Sequence, residues 1–259
     1  MRLGVPPSPS IDAARARTAP ILSALAARGV PVELVFAASY DELGERLLAG
    51  ALDAAWAPPI VCARVEAAGG VTVLRAVRGG STSYRAALVC RAGDPVDLAR
   101  HQELVAGWTD ENSAAGYLLA RSWLAGRGID AVKGFKRALF LGNYESALRA
   151  IADGRADLGS MFASVPGAPP HTTLDEVDDG LRARLHVVAY TAETQTDGVV
   201  LPPTAPPGTL ERLLAGLQAL TADAPGASAL RQLLGCEELR AVPPRPTSPA
   251  LHALMHARR

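Results

Sequence analysis

Residues 104–126 read LVAGWTDENSAAGYLLARSWLAG, a pattern that predicts a buried strand followed directly by a helix. The apolar run Leu104–Trp108 is the strand, and the helical spacing of apolar residues after it stops at Gly126. Asn112 and Ser113 are suited to cap this helix, because their side-chain oxygens accept hydrogen bonds from unpaired N–H groups of the first turn. The small residues that follow would let a ligand approach these N–H groups, where the helix dipole favours negative charge. The alternative is an ordinary capped junction that binds nothing.

The composition is typical of a soluble globular protein. The 259 residues suffice for one large domain or two small lobes. Hydrophobic residues make up 49% of the chain and charged residues 20%, both close to average. Because 26 Lys and Arg balance 26 Asp and Glu, no broad nucleic-acid-binding face is expected.

The cysteines and the terminal sequence bear on the cellular compartment. Cys62, Cys90 and Cys236 are scattered, which argues against a disulfide framework or a zinc site. No apolar run approaches the roughly 20 residues that span a bilayer, so membrane insertion is not expected. The start of the chain, MRLGVPP, lacks the apolar region of a signal peptide. We therefore expect a cytoplasmic protein, or a periplasmic or extracellular one whose leader has been removed.

Strands alternate with helices along most of the chain, which predicts an α/β fold with largely parallel sheets. In the first half, Ser39 is expected to cap a helix from Tyr40 to Leu48. In the second half, a helix from Tyr144 to Ala152 follows Gly142–Asn143.

These two helices belong to an internal repeat. Gly50 and Gly154 end them, and Asp53 and Asp157 open the apolar strands that follow, each 13 residues after the tyrosine that begins the helix. The copies lie about 100 residues apart, which predicts two similar α/β halves, with coincidence between common junctions as the alternative. We expect both aspartates to cap or pack strands, not to act as an acid–base pair. Two such halves would place polar strand ends across a crevice, where ligands of open α/β sheets bind.

The motifs occur in a fixed order: Tyr40…Gly50-x-x-Asp53-x-x-Trp56-x-Pro58, Ser83–Tyr84–Arg85, Asp110-x-Asn112–Ser113-x-x-Gly116–Tyr117 and Gly142…Gly154-x-x-Asp157. This order resembles the phosphonate- and phosphate-type substrate-binding proteins of ABC importers, over nearly the whole chain. The resemblance implies a type II periplasmic-binding-protein fold, with two α/β lobes that are each a mainly parallel sheet flanked by helices. It implies that residues 1–88 plus 195–259 form lobe one and residues 89–194 form lobe two.

The resemblance also implies candidate ligand-binding residues in a cleft that closes over a small molecule. The anion-binding loop of the family falls on Asn112, Ser113, Ala114, Ala115 and Gly116. Tyr40, Tyr84 and Asp197 match other cleft positions, and Tyr144 stands where the family commonly has a histidine. Trp56, Arg85 and Asn143 complete the candidate set. Core packing for Trp56 and the tyrosines, and a strand-edge salt bridge for Arg85, remain the alternatives.

Two departures from the family pattern bear on the ligand. The family's Ser-Thr-Ser cluster reads Ser113–Ala114–Ala115 here, and no carboxylate stands near Ser164, where an acid helps to hold the amine of aminophosphonates. A buried anion that lacks donors is disfavoured by about 1–3 kcal/mol for each missing partner. We therefore expect an anionic or polar organic ligand, such as a carboxylate or sulfonate, rather than phosphonate.

The sequence shows no catalytic or metal-binding constellation. His252 and His256 have metal-ligand spacing, but they lack the Glu of a zincin motif. No nucleophile elbow or Walker loop occurs, and Gly79–Gly80–Ser81 is expected to form a mobile loop near a hinge. We expect no catalytic residue, no cofactor and no metal.

Two classes of function remain open. The first is a binding protein that presents its closed form to an ABC permease or to a signalling protein. The second is a cytoplasmic enzyme, similar to a lyase or dehydratase, that uses the same cleft on an organic acid. The lack of acid–base or nucleophilic residues favours binding, whereas the lack of a leader favours the enzyme.

Overall fold

The structure is a computed structural model, and it describes residues 1–7, 10–27, 29–221, 228, 234–243 and 251. The chain forms two compact units: Met1–Thr82 with Gln195–Thr247, and Ser83–Thr194 with Ser248–Arg259. His252 and His256 lie outside the described residues. No helix in the described ranges combines the length and apolar character that a bilayer crossing requires.

Strands and helices alternate through both units. The strands are β1 (Arg2–Val5), β2 (Glu33–Phe36), β3 (Ala54–Ala57), β4 (Val71–Val77), β5 (Ser83–Arg91), β6 (Val105–Trp108), β7 (Arg137–Phe140), β8 (Leu158–Ala163), β9 (Leu185–Tyr190), β10 (Thr194–Gln195), β11 (Gly198–Leu201) and β12 (Glu238–Ala241). The α-helices are α1 (Ile11–Ala27), α2 (Tyr40–Leu48), α3 (Pro59–Ala67), α4 (Leu119–Ala125), α5 (Tyr144–Ala152), α6 (Asp179–Arg182) and α7 (Thr209–Thr221). A π-helical turn, Ala114–Leu118, leads into α4, and 3₁₀ turns occupy Leu98–Glu103 and Thr173–Asp175.

Each unit contains one mixed sheet. The first sheet has the order β12-β4-β11-β3-β1-β2, with β1 parallel to β2 and β3, and with β11 and β12 antiparallel to their neighbours. The second has the order β10-β5-β8-β6-β7, with β6 parallel to β7 and β8, while β5 is antiparallel to β8 and β9.

The predicted fold class, α/β with two sheets flanked by helices, is confirmed. The sheets contain more antiparallel pairs than the expected mainly parallel arrangement. The antiparallel pairs involve β5, β11 or β12, and β5 and β11 are the strands that begin where the chain has just passed from one unit to the other. Strand β5, which spans the predicted lobe boundary at residue 88, lies wholly in the second unit because it pairs with β8 and β9.

The internal repeat is confirmed by sheet topology. The order β2-β1-β3 in the first sheet matches β7-β6-β8 in the second. Helices α2 and α5 have the predicted bounds, and the side chains of Ser39 and Asn143 cap them by accepting from the N–H groups of Glu42 and Ser146. The left-handed glycines Gly50 (φ +70°) and Gly154 (φ +74°) follow the two helices.

Asp53 and Asp157 cap neighbouring strands, as predicted. The Asp53 carboxylate accepts from the N–H of Arg2 at 2.7 Å, at the start of β1. The Asp157 carboxylate accepts from the N–H of Val105 at 2.7 Å, at the start of β6. Each aspartate also donates its own N–H to the carbonyl of the same partner. The two carboxylates therefore have equivalent structural roles.

Candidate ligand-binding site

The strand ends of the second unit bring most of the candidate residues to one edge of its sheet. Because β6, β7 and β8 are parallel, their carboxyl ends share that edge, where ligands of open α/β sheets bind. The antiparallel strand β5 begins there, and Tyr84 and Arg85 are its second and third residues. The N–H of Gly142 donates to the carbonyl of Thr109 at 2.7 Å, which joins the loop after β7 to the loop after β6.

The loop after β6 is built by local hydrogen bonds. The Asp110 carboxylate accepts from the N–H of Asn112 at 2.8 Å, and its carbonyl accepts from the N–H of Ser113 at 3.0 Å. Ser113 is the N-cap of the π-helical turn, since its hydroxyl oxygen accepts from the N–H of Gly116 at 3.1 Å. The predicted cap is thus confirmed, and the first turn is π-helical, a geometry that is frequent at functional sites.

Gly116 is required by the packing of this turn. A Cβ at residue 116 would lie 1.9 Å from Oγ1 of Thr109 and 2.7 Å from Oγ of Ser113. The backbone of residue 116 can approach the loop this closely only without a side chain. The clash that any side chain would cause therefore explains the glycine at this position of the motif.

The first turn leaves donors available to a ligand. Among the described residues, the N–H groups of Ala114 and Ala115 donate to no other protein group. Ser113 accepts with its oxygen and so keeps its hydroxyl proton free to donate. Beside these donors lie the exposed residues Asp110 and Glu111. The loop therefore offers few donors in a locally acidic setting.

Two buried hydroxyl groups near this edge were missed by the sequence analysis. The side-chain oxygens of Thr109 and Ser160 are buried and have no hydrogen-bond partner among the described residues. Thr109 contacts the π-helical turn through Gly116, and Ser160 lies on β8, which packs against the same turn. Buried polar groups normally have partners, so these two are candidates to bind a ligand or water. Ser160 is surrounded in the sequence by apolar residues of β8, so a search for polar motifs does not find it.

Tyr84 and Arg85 lie at the same sheet edge but differ in exposure. Tyr84 is buried, and its ring centroid lies 5.5 Å from that of Phe162. The Arg85 guanidinium stacks on the ring of Tyr190 at 3.7 Å and donates from Nε to the carbonyl of Ser164 at 2.9 Å. Arg85 is held by its neighbours in a fixed position and is half-buried.

Asn143 and Tyr144 begin α5 at the same edge. Asn143 uses its side-chain oxygen to accept from the N–H of Ser146 at 2.8 Å. Tyr144 is half-buried and packs against the apolar cluster that includes Leu148 and Ile151. A ligand role for either residue remains a prediction.

Three candidates belong to the first unit. Tyr40 begins α2 and is half-buried. Trp56 lies on β3 and packs against the apolar cluster that includes Val73 and Leu213. Asp197 accepts from the Arg78 guanidinium at 2.7 Å, so its charge is already paired within this unit.

The loop expected to be mobile is held by the first unit. Both oxygens of the Glu237 carboxylate accept from this loop, one from the N–H of Gly79 at 2.6 Å and the other from the N–H of Gly80 at 3.1 Å. Arg78 also donates to the carbonyl of Gly235 at 2.8 Å. A segment more than 150 residues away in the sequence therefore fixes the loop, a contact that local sequence does not reveal.

No group of metal-binding side chains is found in the part of the chain that the structure describes. The three cysteines are buried and unpaired. Burial raises the pKa of the Cys62 thiol to about 11, although the nearby Arg75 guanidinium lowers it in part. A buried thiol of this kind is unreactive at neutral pH.

Comparison with known proteins identifies relatives of the whole chain. Residues 3–244 match the family described as "ABC transporter, phosphonate, periplasmic substrate-binding protein". No match is found among curated proteins. The chain is similar in structure to XAC2383 from Xanthomonas citri bound to chloride ion, with a TM-score of 0.79, 17% identity, and coverage of 100% of this chain and 98% of that one.

Two further solved structures share the fold. A binding protein component of an ABC phosphonate transporter from Pseudomonas aeruginosa has a TM-score of 0.67 and 20% identity, covering 99% of this chain and 84% of its own. PhnD1 from Prochlorococcus marinus, in complex with methylphosphonate, has a TM-score of 0.66 and 14% identity, covering 99% and 96%. The expected type II periplasmic-binding-protein fold is therefore confirmed. The chain belongs to the phosphonate-binding family of periplasmic substrate-binding proteins of ABC transporters.

Proposed function

We propose that this substrate-binding protein takes a small polar organic ligand with at most one negative charge, such as a carboxylate or a sulfonate. The ligand binds at the strand ends of the second unit. The observation that carries the proposal is the donor set of the loop Ser113–Gly116, which consists of one hydroxyl and the N–H groups of Ala114 and Ala115.

The donor set suits a monoanion better than a dianion. A carboxylate has two acceptor oxygens and a phosphonate dianion three, and each oxygen left without a donor in a buried site is disfavoured by about 1–3 kcal/mol. A sulfonate also has three oxygens, but it carries one negative charge fewer than the phosphonate dianion. The carboxylates of Asp110 and Glu111 add repulsion that grows with the charge of the ligand. Arg85 lies at this edge of the second sheet and contributes a single positive charge.

Neither Ser164 nor Asp197 offers a charge to an amine on the ligand. Ser164 presents its carbonyl to Arg85, and Asp197 is paired with Arg78. The carboxylates of Asp110 and Glu111 are exposed to water, where an ion pair with a ligand ammonium would contribute little. The ligand class therefore has no requirement for a positive charge.

Relatives with this fold support an anionic ligand. PhnD1 is in complex with methylphosphonate, and XAC2383 is bound to chloride ion and, in a second structure, to ATP. Membership of an ABC-transporter family implies a permease as the partner. Because the family is normally exported, we expect the mature chain to act outside the cytoplasm.

Titration calorimetry with the full chain tests the proposed ligand class. The probes are acetate, benzoate, methanesulfonate, methylphosphonate and inorganic phosphate at pH 7.5. We expect at least one of the three monoanions to bind tenfold or more tightly than methylphosphonate, a difference of about 1.4 kcal/mol. Tighter binding of methylphosphonate or phosphate than of every monoanion would contradict the proposal.

Two substitutions test the donor set. Ser113→Ala removes the one hydroxyl donor of the loop Ser113–Gly116 and is expected to weaken monoanion binding about tenfold. Ser122→Ala, on the same helix but outside the loop, is the matched control and should leave binding unchanged. Ala114→Ser returns one hydroxyl to the half-buried position 114 and should raise the affinity for methylphosphonate. An unchanged methylphosphonate affinity in Ala114→Ser, with the fold intact by circular dichroism, would count against the donor argument.

A further inference from the structure

An apolar cavity of about 250 Å³ lies inside the first unit, between the sheet and helices α1 and α7. Its floor is a cross-strand ladder in which Leu3 faces Leu34 and Val5 faces Phe36. Its walls include Ile21 and Leu25 of α1. All of the described lining residues belong to the first unit, and Trp56, one of the candidate ligand-binding residues, is among them.

The lining offers few groups to a polar ligand. Among the described lining residues, none has a charged side chain, the Met1 ammonium donates to the carbonyl of Pro31, and the polar side-chain groups are the Thr18 hydroxyl and the Trp56 indole N–H. That hydroxyl is already hydrogen-bonded to the carbonyl oxygens of Ala14 and Arg15, each at 3.0 Å. A polar molecule would therefore lose its hydrogen bonds to water on entering.

The cavity is larger than the packing defects of protein interiors. Side chains in cores interdigitate, and few voids exceed the size of a water molecule. Here Leu3, Val5, Leu34 and Phe36 are only half-buried, although they lie on a sheet face that is covered by helix. A face of this kind gains stability when an apolar molecule covers it.

In the second unit, aromatic side chains fill the layer that corresponds to the cavity of the first unit. There the segment between the two parallel strands β6 and β7 packs with Trp108, which is fully buried. The Trp108 ring lies 5.8 Å from Tyr117 and 6.2 Å from Phe135, between ring centroids. Between β1 and β2 of the first unit, the chain supplies no such aromatic cluster among its described residues.

We propose that the first unit binds an uncharged apolar molecule of one or two rings in this cavity. A dry apolar cavity of roughly 150 Å³ is enough to bind benzene. The larger volume here accommodates a substituted ring or two fused rings. This site goes beyond the proposed transport ligand, because it selects against charge.

Calorimetry with toluene and phenol as probes tests the proposal on the full chain. Toluene should bind, and phenol should bind more weakly because Thr18 and Trp56 are the only described lining side chains that could replace the hydrogen bonds of its hydroxyl to water. Ala14→Leu places a larger side chain in the cavity and should weaken toluene binding at least tenfold. Ala26→Leu makes the same change on the exposed face of α1 and should leave it unchanged.

Three results would overturn the proposal. They are no binding of toluene near its solubility limit, binding of toluene by Ala14→Leu as tight as by the wild-type chain, or binding of phenol as tight as that of toluene. If Ala14→Leu fails to fold, a crystal of the wild-type chain under xenon pressure decides, since xenon must appear beside Phe36 and Leu25. Absence of xenon there overturns the proposal as well. Ser113→Ala should leave toluene binding unchanged, so failure of this site and failure of the proposed transport ligand are distinguishable.

Discussion

The first strand of each repeat is followed by a different kind of segment. After β1 the chain continues with Pro6–Pro7, which have no N–H groups, and α1 then covers an apolar cavity. After β6 it continues with Thr109–Ser113, which build a capped turn with free donors. The sheet order around both strands is the same. The same sheet order therefore carries two different segments between its first strand and the next helix, one beside an apolar cavity and one with free donors.

The largest expected effect is at Gly116, in the segment that distinguishes the second unit. Gly116→Ala places a Cβ 1.9 Å from Oγ1 of the buried Thr109, and we expect it to lower the free energy of unfolding by about 3 kcal/mol. Urea denaturation followed by circular dichroism measures this. Gly126→Ala is the control, because the nearest atoms lie 3.6 Å from its added Cβ, and its effect should be small.

A double variant identifies the cause of that loss. If the clash with Thr109 is responsible, Thr109→Ala combined with Gly116→Ala should recover much of the stability, with a coupling energy above about 1 kcal/mol. Strict additivity of the two changes would show that the turn does not depend on this contact.

Substitution of the two structurally equivalent aspartates should lower the free energy of unfolding by smaller amounts, which differ between the two positions. Asp157→Ala leaves the part-buried N–H of Val105 without its acceptor, and we expect a loss of about 2 kcal/mol. Asp53→Ala frees the N–H of Arg2, which is exposed and can bond to water, so the loss should be about 0.5 kcal/mol. Thermal unfolding of both variants measures the difference. Equal losses would mean that burial does not distinguish these two strand caps.

The smallest effect is the pH dependence contributed by Cys62 of the first unit. Burial raises the pKa of this thiol from 9.0 to about 11, so the folded state keeps a proton that the unfolded state releases. The stabilisation is fully present below pH 9 and is lost as pH rises toward 11, with about 1.4 kcal/mol lost by pH 10. Unfolding measured from pH 7 to pH 10 should show this loss of stability in the wild-type chain and a much smaller one in Cys62→Ala, since burial also raises the pKa of the Cys90 and Cys236 thiols.

The matched control for this measurement is Cys90 in the second unit. Burial also raises the pKa of its thiol, but the Arg91 guanidinium and a backbone hydrogen bond counteract the effect. The free energy of unfolding of Cys90→Ala should therefore fall between pH 9 and pH 10 almost as steeply as that of the wild-type chain. If the free energy of unfolding of Cys62→Ala falls as steeply with pH as that of the wild-type chain, a group other than Cys62 is responsible for the pH dependence.

Much of the local structure was predictable from short stretches of sequence. The bounds of α2 and α5 follow from Ser39 and Asn143, whose side chains cap the first turn, and from the glycines after the last turn. The position of the candidate loop followed from Ser113 for the same reason. These features depend on residues within a few positions of one another.

Contacts between distant residues were not predictable. Asp197 is paired with Arg78, 119 positions away, which changes the interpretation of a candidate ligand residue. Glu237 holds a loop at Gly79 and Gly80 that the sequence alone suggested was mobile. The antiparallel strands of both sheets likewise depend on which distant segments pair.

The sequence by itself determined the α/β class, the internal repeat, the family resemblance and the place of the capped loop Asp110–Gly116, because caps, glycines and apolar spacing act locally. Only the tertiary structure decided that Thr109 and Ser160 bury hydroxyls that have no hydrogen-bond partner in the described part of the chain. It also decided that the face of β1 and β2 is left with a cavity while the corresponding layer around Trp108 is filled. Both depend on how side chains from separate elements fill a shared volume, and no single stretch of sequence specifies that volume.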